Sequence, residues 1–366
     1  MKIRCLKADI LNGLNIAMRA VPSKTTLPIL ESFLIIADEE IRIITNDRDM
    51  GIETGIIGGI EDKGKIAVDA KIFNEIIRKF PENEVTIETD DNLRIRIKCE
   101  ESEFTLLGRN PKEFPELPYT EEKEKVVISQ FVLKELIRQT IFSISTGDTN
   151  SIMKGELFEV SGNNLRMISL DSHRISIRRE KLSDSYNDFK VIVPGKTLNE
   201  LSRILSGEKD EKVEISFDKN FIKFEFNKTK VISRLIEGEF FNIDQMISSD
   251  YETEIRINKN DFFNCADRAF TLTKEVEKKP LILDIRDNEI KMDVTTSLGS
   301  MNARLPISKF GKDLFIGFNP KFFIEALKVI DDEEISIYFV NSTAPCIIKN
   351  QEGEYIYIIL PVNISR

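Results

Sequence analysis

Two hydrophobic periods alternate along the chain. In 84–106 (EVTIETDDNLRIRIKCEESEFTL), 212–226 (KVEISFDKNFIKFEF) and 334–349 (EISIYFVNSTAPCIIK) apolar and polar residues alternate with period two, broken by Asp-Asn or Asn-Ser turn signals. This predicts antiparallel hairpins with one face in water. Just before each lies a stretch with helical spacing: AKIFNEIIR (70–78), GKTLNELSR (195–203) and PKFFIEALK (320–328). Its apolar residues, Ile72, Phe73, Ile76 and Ile77, then Leu198, Leu201, Ile204 and Leu205, then Phe322, Phe323, Ala326 and Leu327, predict one buried stripe per helix. Short β-branched runs lead into all three helices: GKIAVDA (64–70), FKVIVPG (189–195) and LFIGFNP (314–320). Asp69 and Asn319 stand as N-caps, Asn319 with Pro320 in the first turn, while Pro194 and Gly195 punctuate the middle copy.

A second helix precedes every such unit, in 7–21 (KADILNGLNIAMRAV), 129–145 (SQFVLKELIRQTIFSIS) and 258–274 (NKNDFFNCADRAFTLTK). The lysines of the repeated helices stand at 71, 196 and 321, so consecutive copies are 125 residues apart. A chain of 366 residues is long enough for two or three domains. The repeat selects three, expected at 1–120, 126–246 and 253–366. Charged or polar linkers are expected at 119–125 (YTEEKEK) and 247–254 (ISSDYETE). The fold class is α+β, each domain carrying two helices packed on antiparallel sheet.

On each repeated helix a lysine, a glutamate four residues on and a basic residue at the eighth position share one face: Lys71, Glu75, Arg78; Lys196, Glu200, Arg203; Lys321, Glu325, Lys328. One such stripe reads as a solvated face with an i to i+4 ion pair. Three of them, with Lys7, Arg19, Lys24, Lys134, Arg138, Lys259, Arg268 and Lys274 on or beside the other helices, predict a shared basic surface. That surface is set in a protein of net charge −10, which is not the balance of a simple nucleic-acid-binding domain.

Catalytic motifs are missing from the sequence. The single histidine, His173, has no nucleophile partner at a recognisable spacing, and no GxSxG, HExxH, P-loop or GxGxxG pattern occurs. Cys5, Cys99, Cys265 and Cys346 are widely spaced without CxxC, which predicts buried reduced thiols rather than a zinc site. Acidic runs such as Asp331, Asp332, Glu333 and Glu334, or Asp90 with Asp91, read as solvated turns. No cofactor and no metal are expected. No run of 18 apolar residues is present and MKIRCLKADIL lacks a signal-peptide core, so a cytoplasmic protein without membrane contact is the expectation.

Six stretches, in order, resemble one family. SKTTLPILESFLI (23–35), FPEL (114–117), LDSHRISI (170–177), LIEGEF (235–240), GFNPKFFIEAL (317–327) and YIYIILPVN (355–363) are similar to segments of the bacterial sliding clamp, the beta subunit of DNA polymerase III. The resemblance runs end to end. It implies the DNA clamp fold: three similar domains, and a ring formed as a head-to-tail homodimer, with helices lining the hole. It also implies a non-catalytic processivity factor on double-stranded DNA, bound without sequence preference. The residues expected to face DNA are Lys7, Arg19, Lys24, Lys71, Arg78, Lys134, Arg138, Lys196, Arg203, Lys259, Arg268, Lys321 and Lys328. A rival reading is a three-domain protein-binding scaffold that never encircles DNA.

In this family a short linear peptide from the DNA polymerase III catalytic subunit, the clamp loader, other polymerases and repair proteins enters an apolar pocket. Carried over by motif, the pocket comprises Met153, Leu170, Ser172, His173, Arg174 and Ile175, then Phe241, Gln245 and Met246, then Asn319, Pro345, Ile358, Ile359, Leu360, Pro361 and Val362. Arg174 and His173 are expected to fix polar groups of the peptide. The chain departs from the family pattern where Ser172 replaces a usual glycine, Phe241 and Gln245 a common proline and arginine, and Asn363 a common arginine. The third-domain edge, 295–305, lacks an acidic run, while the first-domain edge carries Glu100, Glu101 and Glu103, with Arg304 on the other side. The subunit contact is therefore expected to be charge-inverted, or apolar around Phe104, Leu106, Phe270 and Leu272.

Overall fold

The computed structural model describes residues 1–118, 125–147, 150–247, 250–273 and 279–364. Lys274 and nearly all of the expected 119–125 linker lie outside the described residues, as do 248–249 of the second linker. One element order occurs three times: a strand, a helix, a set of strands, a second helix, and three more strands. The helices are α1 (Lys7–Ala17), α2 (Ala70–Lys79), α3 (Gln130–Thr140), α4 (Gly195–Ile204), α5 (Lys259–Thr273) and α6 (Pro320–Leu327). Both expected side-chain caps are present. Asp69 accepts from the Ile72 amide at 3.0 Å and Asn319 from the Lys321 amide at 3.0 Å. In the middle copy Gly195 packs closely, a Cβ there coming to 2.4 Å from Ile144 Cδ1 and 3.1 Å from the Lys154 carbonyl oxygen.

The three copies are closed by the same contact. The amide of the first residue of α1, α3 or α5 donates to a carbonyl beyond the second helix of its copy: Lys7 to Asn83 at 3.0 Å, Gln130 to Glu211 at 2.8 Å, Lys259 to Glu333 at 2.9 Å. Their side chains follow. Lys7 Nζ donates to the Phe80 carbonyl at 2.6 Å and Lys259 Nζ to the Ile330 carbonyl at 2.8 Å. Gln130 accepts from the Ser206 amide at 3.0 Å. Carbonyls just past a helix end lack intrahelical donors, so an ammonium or amide there is well placed.

The described residues form two compact units, Met1–Phe131 with Arg203–Leu235, and Val132–Ser202 with Ile236–Arg366. In the first, a five-stranded sheet runs Gly59–Asp62, Lys2–Leu6, Glu84–Thr89, Arg94–Cys99, Ser102–Leu107. An eight-stranded sheet joins two copies, because Thr229–Arg234 pairs with Met50–Ile56, with Val231 opposite Ile52. In the second unit a four-stranded sheet runs Gly299–Pro306, Glu289–Thr296, Leu281–Arg286, Leu314–Phe318. A larger sheet joins two copies there, Tyr355–Ile359 pairing with Arg174–Pro194 so that Ile175 faces Ile358. Each copy thus has its two helices and antiparallel strands, with the strands divided between two sheets. The middle copy is shared by both units because its outer strands complete its neighbours' sheets.

Helix stripes supply the cores. Phe73, Ile76 and Ile77 of α2 are buried, Phe73 edge-on to Phe33 at 6.3 Å. Phe323 of α6 packs edge-on against Phe262 and Phe318, each at 5.1 Å. Three expected stripe residues depart: Ile204 and Phe322 are only half-buried, and Ile72 is 51% exposed while Ala70 takes the inward position, since Ile72 lies about 100° around the helix from Phe73. All four cysteines are buried and free, and burial pushes the Cys5 thiol up to about 12. No described helix is long and apolar enough to cross a membrane.

Candidate functional site

Within the second unit an open groove of about 890 Å³ lies between the segment after α3, the Asp171–Arg174 turn, one side of α6, and the chain at Leu360–Val362. The turn is built by Asp171, whose Oδ1 accepts from the amides of His173 at 2.8 Å and Arg174 at 3.1 Å. Two backbone bonds strap the far wall in place: Leu360 N–H to the His173 carbonyl at 2.9 Å, and Val362 N–H to the Gly317 carbonyl at 2.8 Å. Leu360 keeps 41% of its surface exposed. His173 is exposed and stacks on Phe322, ring centres 5.8 Å apart and planes 28° apart.

Of the expected pocket residues, His173, Arg174, Asn319, Leu360, Pro361 and Val362 line this groove. Leu170, Ile175 and Ile358 are buried in an apolar cluster with Phe240 and Ile243, against which Met153 is partly buried. Ile358 and Leu360 are two residues apart in extended chain, so they share a face and link cluster to groove. Phe241 and Met246 are exposed, as are Ser172 and Gln245. Two expectations are corrected. Ile359 points the other way, into the core with Tyr355 and Tyr357, because alternate residues of a strand face opposite sides. Pro345 stands outside the groove lining, in a turn where Asn341 Oδ1 accepts from the Ala344 amide at 2.8 Å.

Arg174 lines the groove but is bonded mainly inward. It is buried, 7% exposed, and its donors are taken inside the protein: Nε by Asp171 at 3.1 Å, Nη1 by Glu325, Nη2 by the Phe142 carbonyl. Its guanidinium also lies over the rings of Phe142 at 5.4 Å and Phe322 at 4.8 Å. All three of its nitrogens are thus engaged inside the protein, and it shapes the groove it lines. The sequence reading missed Phe142, Ile144 and Asp171 as liners and left Phe322 as a core residue. The only signal for them was adjacency, Asp171 to the HR pair and Phe322 to Asn319. Phe270, expected at a subunit contact, also lines the groove.

The charged helix faces are partly as expected. Lys71, Glu75 and Arg78 are exposed opposite the buried stripe of α2, as are Lys196 and Arg203 on α4 and Lys321 and Lys328 on α6. Lys24 and Arg268 are exposed; Arg19 and Lys134 are half-buried. Glu75 lies 3.7 Å from Lys79, one turn on, so the expected pairing with Lys71 is replaced; Lys321 does approach Glu325, at 3.8 Å. Lys7 and Lys259 are spent on carbonyls at helix ends, Lys7 also on Glu82 at 2.8 Å, so they are structural rather than DNA-facing. Arg138 is held by Glu135 at 2.6 Å and Asp331 at 2.9 Å, which neutralises it. Among the described residues no group of three or more His, Cys, Asp or Glu side chains could hold a metal ion.

Three domain models of the DNA polymerase III beta subunit match the chain in order: the N-terminal domain over residues 1–118, the central domain over 127–242, and the C-terminal domain over 244–363. The chain belongs to the DNA polymerase III beta subunit family. A beta sliding clamp of Staphylococcus epidermidis is 32% identical over 98% of both chains. Among solved structures, a beta subunit from Eubacterium rectale is 54% identical with a TM-score of 0.97, and the Bacillus subtilis DNA polymerase sliding clamp 31% identical with 0.96, each over 100% of both chains. The fold is accordingly the three-domain DNA clamp fold, and the repeat of 125 residues is the repeat of its domains.

Proposed function

We propose that two copies of this chain close head to tail into a ring around duplex DNA, and that the groove tethers DNA polymerase III and other replication and repair proteins to it through a short apolar peptide. Sliding clamp function follows from the family. The observation that carries the ring is strand pairing between copies. The last strand of the middle copy, Thr229–Arg234, pairs with the third strand after the first helix in copy one, Met50–Ile56. The last strand of copy three, Tyr355–Ile359, pairs with Arg174–Pro194 of copy two. By the same rule the last strand of copy one, Ser102–Leu107, seeks the third strand of copy three, Gly299–Pro306. Both are edge strands within their sheets. A second molecule satisfies both edges at once.

The edge chemistry supports an apolar junction around Phe104 and Leu106, whereas Phe270 and Leu272, on α5, pack against the third-domain core and Phe270 lines the groove. Phe104 and Leu107 are 43% and 78% exposed, while Glu103 is already paired with Arg96 at 3.2 Å and Arg304 with Glu289 at 3.2 Å. Exposed cations on α2, α4 and α6 interleaved with carboxylates suit a wall that tracks phosphates loosely. On this reading the protein is non-catalytic, cytoplasmic and without cofactor. The test is retention: loaded onto nicked circular DNA, the protein should stay bound through gel filtration and be released when the circle is linearised. Equal retention on circular and linear DNA would overturn encirclement.

A further inference from the structure

The glutamate that recurs at 75, 200 and 325 does different work in the third domain. Glu75 is exposed, its nearest cation Lys79 on the same helix. Glu325 is turned to the groove, where it accepts from Arg174 Nη1 and approaches Lys321 at 3.8 Å. Arg174 is in turn buried over the rings of Phe142 and Phe322, with Asp171 on Nε and the Phe142 carbonyl on Nη2.

We propose that Glu325 is a positioning residue of the peptide groove: by fixing Arg174 against Phe142 and Phe322, it sets the aromatic walls between which the partner peptide's apolar side chains lie. The inference rests on the groove being the peptide site. Three features of the geometry lead to it. The guanidinium is planar and presents three nitrogens; Asp171 holds Nε and the Phe142 carbonyl holds Nη2, which leaves Nη1 as the end that only α6 can fix. That end is held by Glu325, from α6, the helix that also carries Phe322. Phe142 is held by its own carbonyl on the same guanidinium. The Arg174 guanidinium therefore couples the segment after α3 and the Asp171–Arg174 turn to α6, the last through Glu325, and His173 completes the wall by stacking on Phe322.

The test uses the full-length dimer and a fluorescein-labelled synthetic peptide, Ala-Leu-Ala-Leu-Phe, read by anisotropy. Glu325→Ala should weaken binding about tenfold, mostly through faster dissociation, and Glu325→Gln, which keeps an acceptor, should weaken it less. Glu75→Ala, at the same repeat position, should leave peptide affinity unchanged. The readout that a general loss of structure would not give is a cycle with Arg174→Met: on that background Glu325→Ala should have no further effect, because its action passes through the guanidinium. Thermal unfolding of each variant excludes misfolded protein, and Glu325→Gln keeps the cycle readable if Glu325→Ala unfolds. Full affinity in both Glu325 variants, or additive losses in the cycle, would overturn the inference. Failure of the unmodified protein to bind the peptide would instead overturn the reading of the groove.

Discussion

Glu156 occupies a core position that its counterparts fill with apolar residues. Its strand partner Val193 stands two residues before α4, as Val68, opposite Phe33, stands before α2, and Phe318, opposite Leu281, before α6. Phe33 and Leu281 are fully buried, and so is Glu156. Burial pushes its carboxyl from the ordinary 4.5 up to about 8, against the Thr140 hydroxyl, which donates to it at 2.7 Å. The folded protein therefore keeps a proton that the unfolded chain has lost. That contribution to stability is fully present below pH 4.5 and is lost as pH rises toward about 8, at about 1.4 kcal/mol per pH unit in between. Glu156→Gln keeps the shape without the titration. The stability difference between wild type and Glu156→Gln, from denaturant midpoints, should fall with pH across that window and level off above it; parallel curves would show that Glu156 ionises freely. At the groove, Leu360→Ala removes an exposed apolar contact and should weaken the peptide by about 1.5 kcal/mol, tenfold in Kd, without moving Tm.

At the scale of elements, Lys7 and Lys259 tie the start of one helix to the end of the other. Lys7→Met and Lys259→Met should each lower stability by about 1 kcal/mol, because a carbonyl loses its donor, while retention on circular DNA at matched folded fraction stays unchanged. A drop in retention alone would return these lysines to the DNA-facing set. Their inward bonds were not legible in the sequence, since the Phe80 carbonyl lies 73 residues from Lys7, as Glu325 lies 151 residues from Arg174. What could be read was local: helical and strand periods, the Asp69 and Asn319 caps, and turns such as Asp218–Phe221, where Asp218 accepts from the Asn220 amide at 2.7 Å. The exposure of Ile72 and the inward turn of Ile359 were hidden because a stripe of apolar residues shows which positions can be buried, and the neighbouring element decides which are. The groove was legible through its motifs, Arg174 included, but its inward bonding was not, because a charged residue beside a histidine in a turn shows no carboxylate partners until the fold brings Glu325 to it.

For the whole molecule the decisive quantity is the pairing left open at Ser102–Leu107 and Gly299–Pro306. Leu107, 78% exposed on an edge strand, is the side chain whose burial a partner molecule would most change. Leu107→Glu places a carboxylate on an edge that already carries Glu100, Glu101 and Glu103. A charge buried there without a partner costs several kcal/mol, so the dimer dissociation constant should rise by at least about a hundredfold, seen as a shift to monomer mass in sedimentation at micromolar protein. Retention on nicked circular DNA should vanish with it, since an open chain can leave sideways. Peptide binding should survive, because every residue of the groove lies in one compact unit of one chain. That dissociation separates two roles that act together in the ring, closure around DNA and capture of partners. A variant that stays dimeric would show that the edge strands are not the junction, and one that lost peptide binding along with the dimer would tie the groove to assembly.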